Sequence, residues 1–201
     1  MKTMTIQELY DYLNSPEFQK ADGNIFYNYY IYQYPASDEY KMRKQIEEFK
    51  ENLERPSSFV NAMSLDLFKV FCDYLKAESF GDASLLDDTL EEDKSNPESV
   101  TQELTTEANS DAFIKFVNTR INEDISQNDG LNHPYVFIHG VGKMFPYLRT
   151  NVFLTKYEKY NDTSKYKIIL FYPGHQEGNS FSLFDKLDDS HTYRATLLVN
   201  K

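Results

Sequence analysis

The sequence has no tryptophan and only one cysteine, Cys72, among its 201 residues. A single thiol excludes an internal disulfide framework and any multi-cysteine metal site. Its position inside an apolar helical pattern reads as a plain buried side chain. Long hydrophobic runs are also missing. None approaches the ~20 residues needed to cross a bilayer, and residues 1–11 lack the basic start and apolar stretch of a signal peptide. A cytoplasmic protein without membrane contact is expected.

What is present is an aromatic-rich chain of one-domain size. Hydrophobic residues make up 40%, enough for one core, and the 16 Tyr and 15 Phe suit a strand-containing interior with amphipathic rings for partner surfaces. The net charge of -11 is unevenly spread. Between positions 77 and 111 lie eleven acids (Glu78, Asp82, Asp87, Asp88, Glu91, Glu92, Asp93, Glu98, Glu103, Glu107, Asp111) and one base, Lys94. Removing these from the totals of 32 and 21 leaves 21 acids against 20 bases. The remainder is nearly neutral, so global charge says little about partners.

Local patterns alternate between strand and helix. Thr5 and Glu8 form a capping box ahead of Ile6, Tyr10 and Leu13, which predicts a short first helix. Residues 25–32, rich in aromatic and branched side chains and followed by Pro35, read as a strand. Ser37 and Asp38 precede an amphipathic helix with Met42, Ile46, Phe49 and Leu53 on one stripe. A weaker strand over 58–63 leads to a helix carrying Leu67, Phe68, Phe71, Cys72 and Leu75. The acidic stretch 79–109 reads as an exposed linker or a loosely attached helical insert, with an acidic docking strip as the alternative. Another helix starts near Ser110 and turns Phe113, Ile114, Val117 and Ile121 inward.

Beyond position 132 the pattern sharpens. Pro134-Tyr135-Val136-Phe137-Ile138 is a buried-type strand ending in His139-Gly140-Val141-Gly142, after which Phe145, Leu148, Val152 and Phe153 mark a helix. Lys167-Ile168-Ile169-Leu170-Phe171 is a second such strand, ending at Tyr172-Pro173-Gly174. Leu183, Phe184 and Leu187 suggest a helical turn or two, and 193–199 a final strand. This alternation predicts an α/β fold: one domain, three layers, a mostly parallel sheet of about five strands, helices on both faces and an acidic segment in the middle.

In order and spacing, His139-Gly140-Val141-Gly142, Phe145-Pro146-Tyr147-Leu148-Arg149, Phe171-Tyr172-Pro173-Gly174, Leu183-Phe184 and Tyr193-Arg194-Ala195 closely resemble the C-terminal signature of the BrxB family. These are small accessory proteins of bacterial BREX phage-defence systems. The N-terminal half fits more loosely, through the strand at 25–32 and Tyr34-Pro35. The resemblance implies a defence island that also encodes a large DNA methyltransferase, a PglZ-type member of the alkaline-phosphatase superfamily and a large ATPase. It implies an accessory protein contacting those components, with no established catalytic activity; from the residues themselves, no cofactor is expected.

Taken chemically, the same residues carry weaker signals. Both glycine-containing segments follow buried strands, where open parallel sheets gather ligands. Gly140 and Gly142 ahead of a helix, with Lys143 and Arg149 nearby, could face an anion, or could simply permit a tight turn. A phosphate-binding loop, G-x-x-x-x-G-K-[ST], is not matched, since Gly-Val-Gly-Lys is followed by Met144. A dinucleotide fingerprint fails at Phe145. His139, His175 and Glu177 would make a minimal metal set without recognised spacing, so no metal is assigned. Ser180 and Ser182 near His175, without a G-x-S-x-G elbow, define no triad, and no catalytic residue is assigned. Arg149 and Arg194 either clamp Asp185, Asp188 or Asp189 internally or stay open to a partner's carboxylate or phosphate.

Two functions remain. In the first, a non-enzymatic adaptor docks the PglZ-type protein or the methyltransferase through His139, Gly140, Gly142, Phe145, Pro146, Arg149, Phe171, Tyr172, Pro173, Gly174, Tyr193 and Arg194. In the second, a degenerate nucleotide- or metal-dependent enzyme or nucleic-acid-binding factor serves the same system. Direct nucleic-acid binding is not expected, because no basic stripe is available.

Overall fold

The protein is described from a computed structural model covering residues 4–19, 29–55, 60–127, 134–162, 164–177, 180–189 and 196–198. The elements in chain order are α1 (Ile6–Leu13), α2 (Pro16–Gln19), β1 (Tyr29–Tyr34), α3 (Glu39–Leu53), β2 (Ala62–Asp66), α4 (Leu67–Ala77), β3 (Ser79–Phe80), β4 (Ala83–Ser84), α5 (Leu85–Glu92), α6 (Pro97–Ala108), α7 (Asp111–Gln127), β5 (Tyr135–His139), α8 (Thr150–Tyr157), β6 (Lys167–Glu177), β7 (Ser180–Leu183), β8 (Leu187–Asp189) and β9 (Thr196–Leu198). A parallel sheet runs in the order β2-β5-β6-β1-β9, and β7 and β8 extend the far half of β6 as an antiparallel hairpin. This is the α/β class with a mostly parallel five-stranded sheet that the sequence predicts.

Alternating side chains on each strand feed two cores, one on each face of the sheet. Tyr30, Tyr32, Phe137 and Phe171 pack with Leu9, Leu13, Ile46 and Phe49 of α1 and α3. Ile31, Val136, Ile138 and Leu170 pack with Phe71 of α4, Phe113 and Val117 of α7, and Phe153 of α8. The stripes read from the sequence on α3 and α7 are the buried ones: Met42, Ile46, Phe49 and Leu53, and Phe113, Ile114, Val117 and Ile121. Thr5 and Glu8 form the predicted capping box, with the Thr5 N–H donating to Glu8 Oε2 at 2.6 Å and the Glu8 N–H to Thr5 Oγ1 at 3.2 Å.

Several boundaries move. The weak strand expected at 58–63 lies at Ala62–Asp66, because Asp66 ends it and caps α4 by accepting the N–H groups of Phe68 and Lys69. Within 79–109 the chain forms a small hairpin and two helices, with Leu85, Thr89, Val100 and Ala108 buried. Asn109 then donates from Nδ2 to the Tyr147 carbonyl at 2.8 Å, tying this acidic segment to the signature loop. The helix expected from Phe145 begins only at Thr150, so Arg149 stands just before α8 and does not lie within it. Pro146, in a cis bond with Phe145, lacks the N–H a helix interior uses.

Candidate functional site

At the carboxyl ends of β2 and β5, the backbone alternation that puts Phe137 on the α3 face puts His139 there as well. His139 is 7% exposed, and its Nε2 lies 3.2 Å from Ser64 Oγ. Its Nδ1 is buried without a hydrogen-bond partner among the described residues. Burial holds this imidazole below its ordinary value, although the Asp66 carboxylate pulls in the opposite direction. Sequence reading missed Ser64 and Asp66. The signal for Asp66 was present, since an aspartate directly before Leu67-Phe68 is an N-cap pattern.

Asp66 explains the first glycine of the signature. Gly140 has φ +73°, and a Cβ there would stand 2.4 Å from Asp66 Oδ1. Lys143, on the short 3-10 turn Val141–Met144, pairs with the other carboxylate oxygen. Burial works against ionisation of Asp66, but the hydrogen bond and charge of Lys143 outweigh it and hold the carboxyl below its usual range. The anion facing Gly140 is therefore the protein's own carboxylate, and Gly142 lies in a single 3-10 turn and not at the start of an α-helix.

The other two glycines also admit neighbours. A Cβ on Gly142 would lie 2.3 Å from Phe184 Cζ. On Gly174, at φ +150°, it would lie 2.0 Å from the Ser182 carbonyl oxygen. Tyr172-Pro173-Gly174 is consequently not the end of a strand. β6 runs through it to Glu177, leaving β5 and β1 to pair with β7, and Gly174 stands opposite Leu183. The expected helical turn at Leu183, Phe184 and Leu187 is the β7–β8 hairpin, where Phe184 and Asp185 take left-handed angles of 56° and 58°.

The signature thus divides into an inner and an outer set. His139, Gly140, Gly142, Phe171, Tyr172, Pro173 and Gly174 are buried. Pro146 and Arg149 are exposed around a half-buried Phe145, with the Arg149 guanidinium carbon 5.7 Å from the Phe145 ring centroid. Asp185 contacts His175 Nδ1 at 2.6 Å. Tyr193 and Arg194 lie outside the described residues, as do His133 and His191. His139 and His175 are engaged with Ser64 and Asp185, and among the described residues no three histidine, cysteine or acidic side chains gather to hold a metal ion. Among the same residues no helix is long and apolar enough to cross a membrane.

Comparison with known proteins gives two matches. The family model described as "BREX protein BrxB" matches residues 63–198, and so covers the whole signature. A BREX protein BrxB from Bacillus cereus (strain H3081.97) is 26% identical over 185 residues, spanning 90% of this chain and 88% of that one. No solved structure matches the chain.

Proposed function

Because the chain belongs to the BrxB family, and so has a role in BREX phage defence, we propose that it acts there as a non-enzymatic adaptor that docks another component of the system through the outer set of signature residues. The observation that carries this reading is the split within the signature. Its buried members lie within β5, β6 and the turn packed against β2 and the β7–β8 hairpin, while Pro146 and Arg149 are exposed. An exposed arginine over an aromatic ring, next to a proline, has the composition of an interface anchor. The expected partner is the PglZ-type phosphatase-superfamily protein or the DNA methyltransferase of the same island.

The test is affinity purification of the intact chain from cells carrying the island, beside Arg149→Glu. Co-purification of the PglZ-type protein or methyltransferase with the unaltered chain, lost in Arg149→Glu together with phage protection, is the expected result. Recovery of neither component by the unaltered chain overturns the adaptor reading. A dose-dependent rise in melting temperature with a nucleotide or divalent metal would favour the degenerate-enzyme alternative.

A further inference from the structure

β2 is an edge strand, and the family signature leaves its outer side unused. It pairs with β5 alone among the described strands. In a parallel ladder, successive residues turn their peptide groups to opposite sides. The Tyr135 N–H donates to the Asn61 carbonyl at 2.9 Å, so Asn61, Met63 and Leu65 address β5. Ala62, Ser64 and Asp66 then point their N–H groups away from the sheet. Ala62 is 1% exposed, so the open stretch begins after it. Ser64 keeps an N–H and a C=O on the outer side with no backbone partner among the described residues, and Asp66 keeps an N–H, its carbonyl being drawn into the first turn of α4.

Unpaired N–H and C=O groups on an edge strand are a template on which another extended chain can pair. Beside this edge runs an open groove of about 300 Å³ walled by α4 and α7. Val70 adds an apolar side chain to its lining, with Asp73 on one wall and Glu123 and Asp124 on the other. Asp73 and Glu123 make no ion pair among the described residues. Lys69 and Arg120 also line the groove, but Arg120 lies over the Phe116 ring at 5.2 Å and the carboxylates remain in excess.

We propose that the outer edge of β2 takes up an extended segment of a partner protein as an added strand, its backbone pairing with Ser64 and Asp66 and its lysine or arginine side chains lying between Asp73 and Glu123. This is strand addition, in which main-chain hydrogen bonds supply affinity and alternate side chains supply selectivity. The proposal stands on the sheet edge and holds whether or not the Arg149 rim meets a BREX component. With both surfaces in use, one small chain joins two partners.

A random-peptide phage library selected against the immobilised full chain tests it. Enriched peptides should alternate β-branched with basic residues, and a synthetic copy should slow amide exchange at Ser64 and Asp66. The Asp73→Lys/Glu123→Lys double variant, changed only on the groove walls, should bind that peptide about tenfold more weakly, and N-methylation of alternate peptide amides should weaken it at least as much. Ser64→Pro should abolish binding, but it also disturbs the contact with His139, so the charge-reversed variant carries the decision. Failure to enrich any peptide, or peptides whose binding survives both the charge reversal and N-methylation, overturns the proposal. So does concentration-dependent self-association that protects the same two amides without peptide, because the occupant is then a second copy.

Discussion

The ring of Phe184 fills the space a side chain on Gly142 would need, its Cζ 2.3 Å and its Cε1 2.8 Å from where a Cβ would stand. Phe184 reaches that place from a left-handed backbone angle of 56°, a conformation that costs a non-glycine residue about 1–3 kcal/mol. The contact between hairpin and turn must offset that cost. Gly142→Ala should therefore destabilise the protein by about 1–3 kcal/mol, as overpacking does. In Gly142→Ala/Phe184→Ala the two effects should fall short of additive, because the second change removes the obstacle met by the first. Denaturant unfolding of the four proteins in the cycle measures this.

Three further glycines should rank by what stands in their way. Gly81, at φ +76°, has nothing within 4 Å of the place a Cβ would take, so an alanine there bears only the left-handed strain, about 1–2 kcal/mol. Gly140→Ala adds a collision with the Asp66 carboxylate, which can yield only by loosening its cap on α4 and its pair with Lys143. Gly174→Ala meets the Ser182 backbone at 2.0 Å and should cost most. Melting temperatures are expected to fall in the order Gly81→Ala, Gly140→Ala, Gly174→Ala, at roughly 2–4 °C per kcal/mol for a chain of this size.

Acidity should act through His139 first. Its folded-state value lies below the ordinary 6.5, so in that interval the unfolded chain binds more protons and stability rises with pH. The contribution is complete above about 6.5 and is lost as pH falls through the depressed value. His139→Gln should flatten this arm in urea midpoints measured across the neutral to mildly acidic range. Asp66 is also depressed, so its contribution is complete above the ordinary 3.8 and disappears only as pH falls through its lower folded value. An unchanged slope in His139→Gln would show that another group carries the mildly acidic arm.

The acidic segment offers a contrast between neighbours. Leu85 is 6% exposed and belongs to the core on the α4 and α7 face, whereas Leu90, five residues on along the same helix, is 58% exposed. Leu85→Ala should cost about 2–5 kcal/mol and Leu90→Ala no more than about 0.5. Equal effects in thermal melts would mean that α5 does not dock on that core.

Periodicity carried the sequence reading where a single face is buried. The stripes of α3 and α7, the capping box at Thr5 and the continuous apolar strands at Tyr135 and Lys167 were all legible, because each follows from local spacing. Legibility failed where a distant element dictates the local chain. Pro173 and Gly174 ordinarily punctuate a strand, yet here Gly174 lets β6 pass close to Ser182 and continue. Leu183, Phe184 and Leu187 have helical spacing, but the left-handed Phe184 and Asp185 form a hairpin held by Gly142 and His175. Within the site, His139 and the glycines were found as a motif, whereas Ser64 and Asp66 belong to it only through the pairing of β2 with β5.

The eleven residues of β6 give the protein a mechanical property. One end of this strand is the middle of the parallel sheet, bonded to β5 and β1, and the other end is a rail of the outer hairpin. A pull or push on the hairpin is therefore delivered along a single extended backbone into the centre of the molecule, with no hinge of loose chain between. Force applied along β6 would therefore load its ladders with β5 and with β1 together.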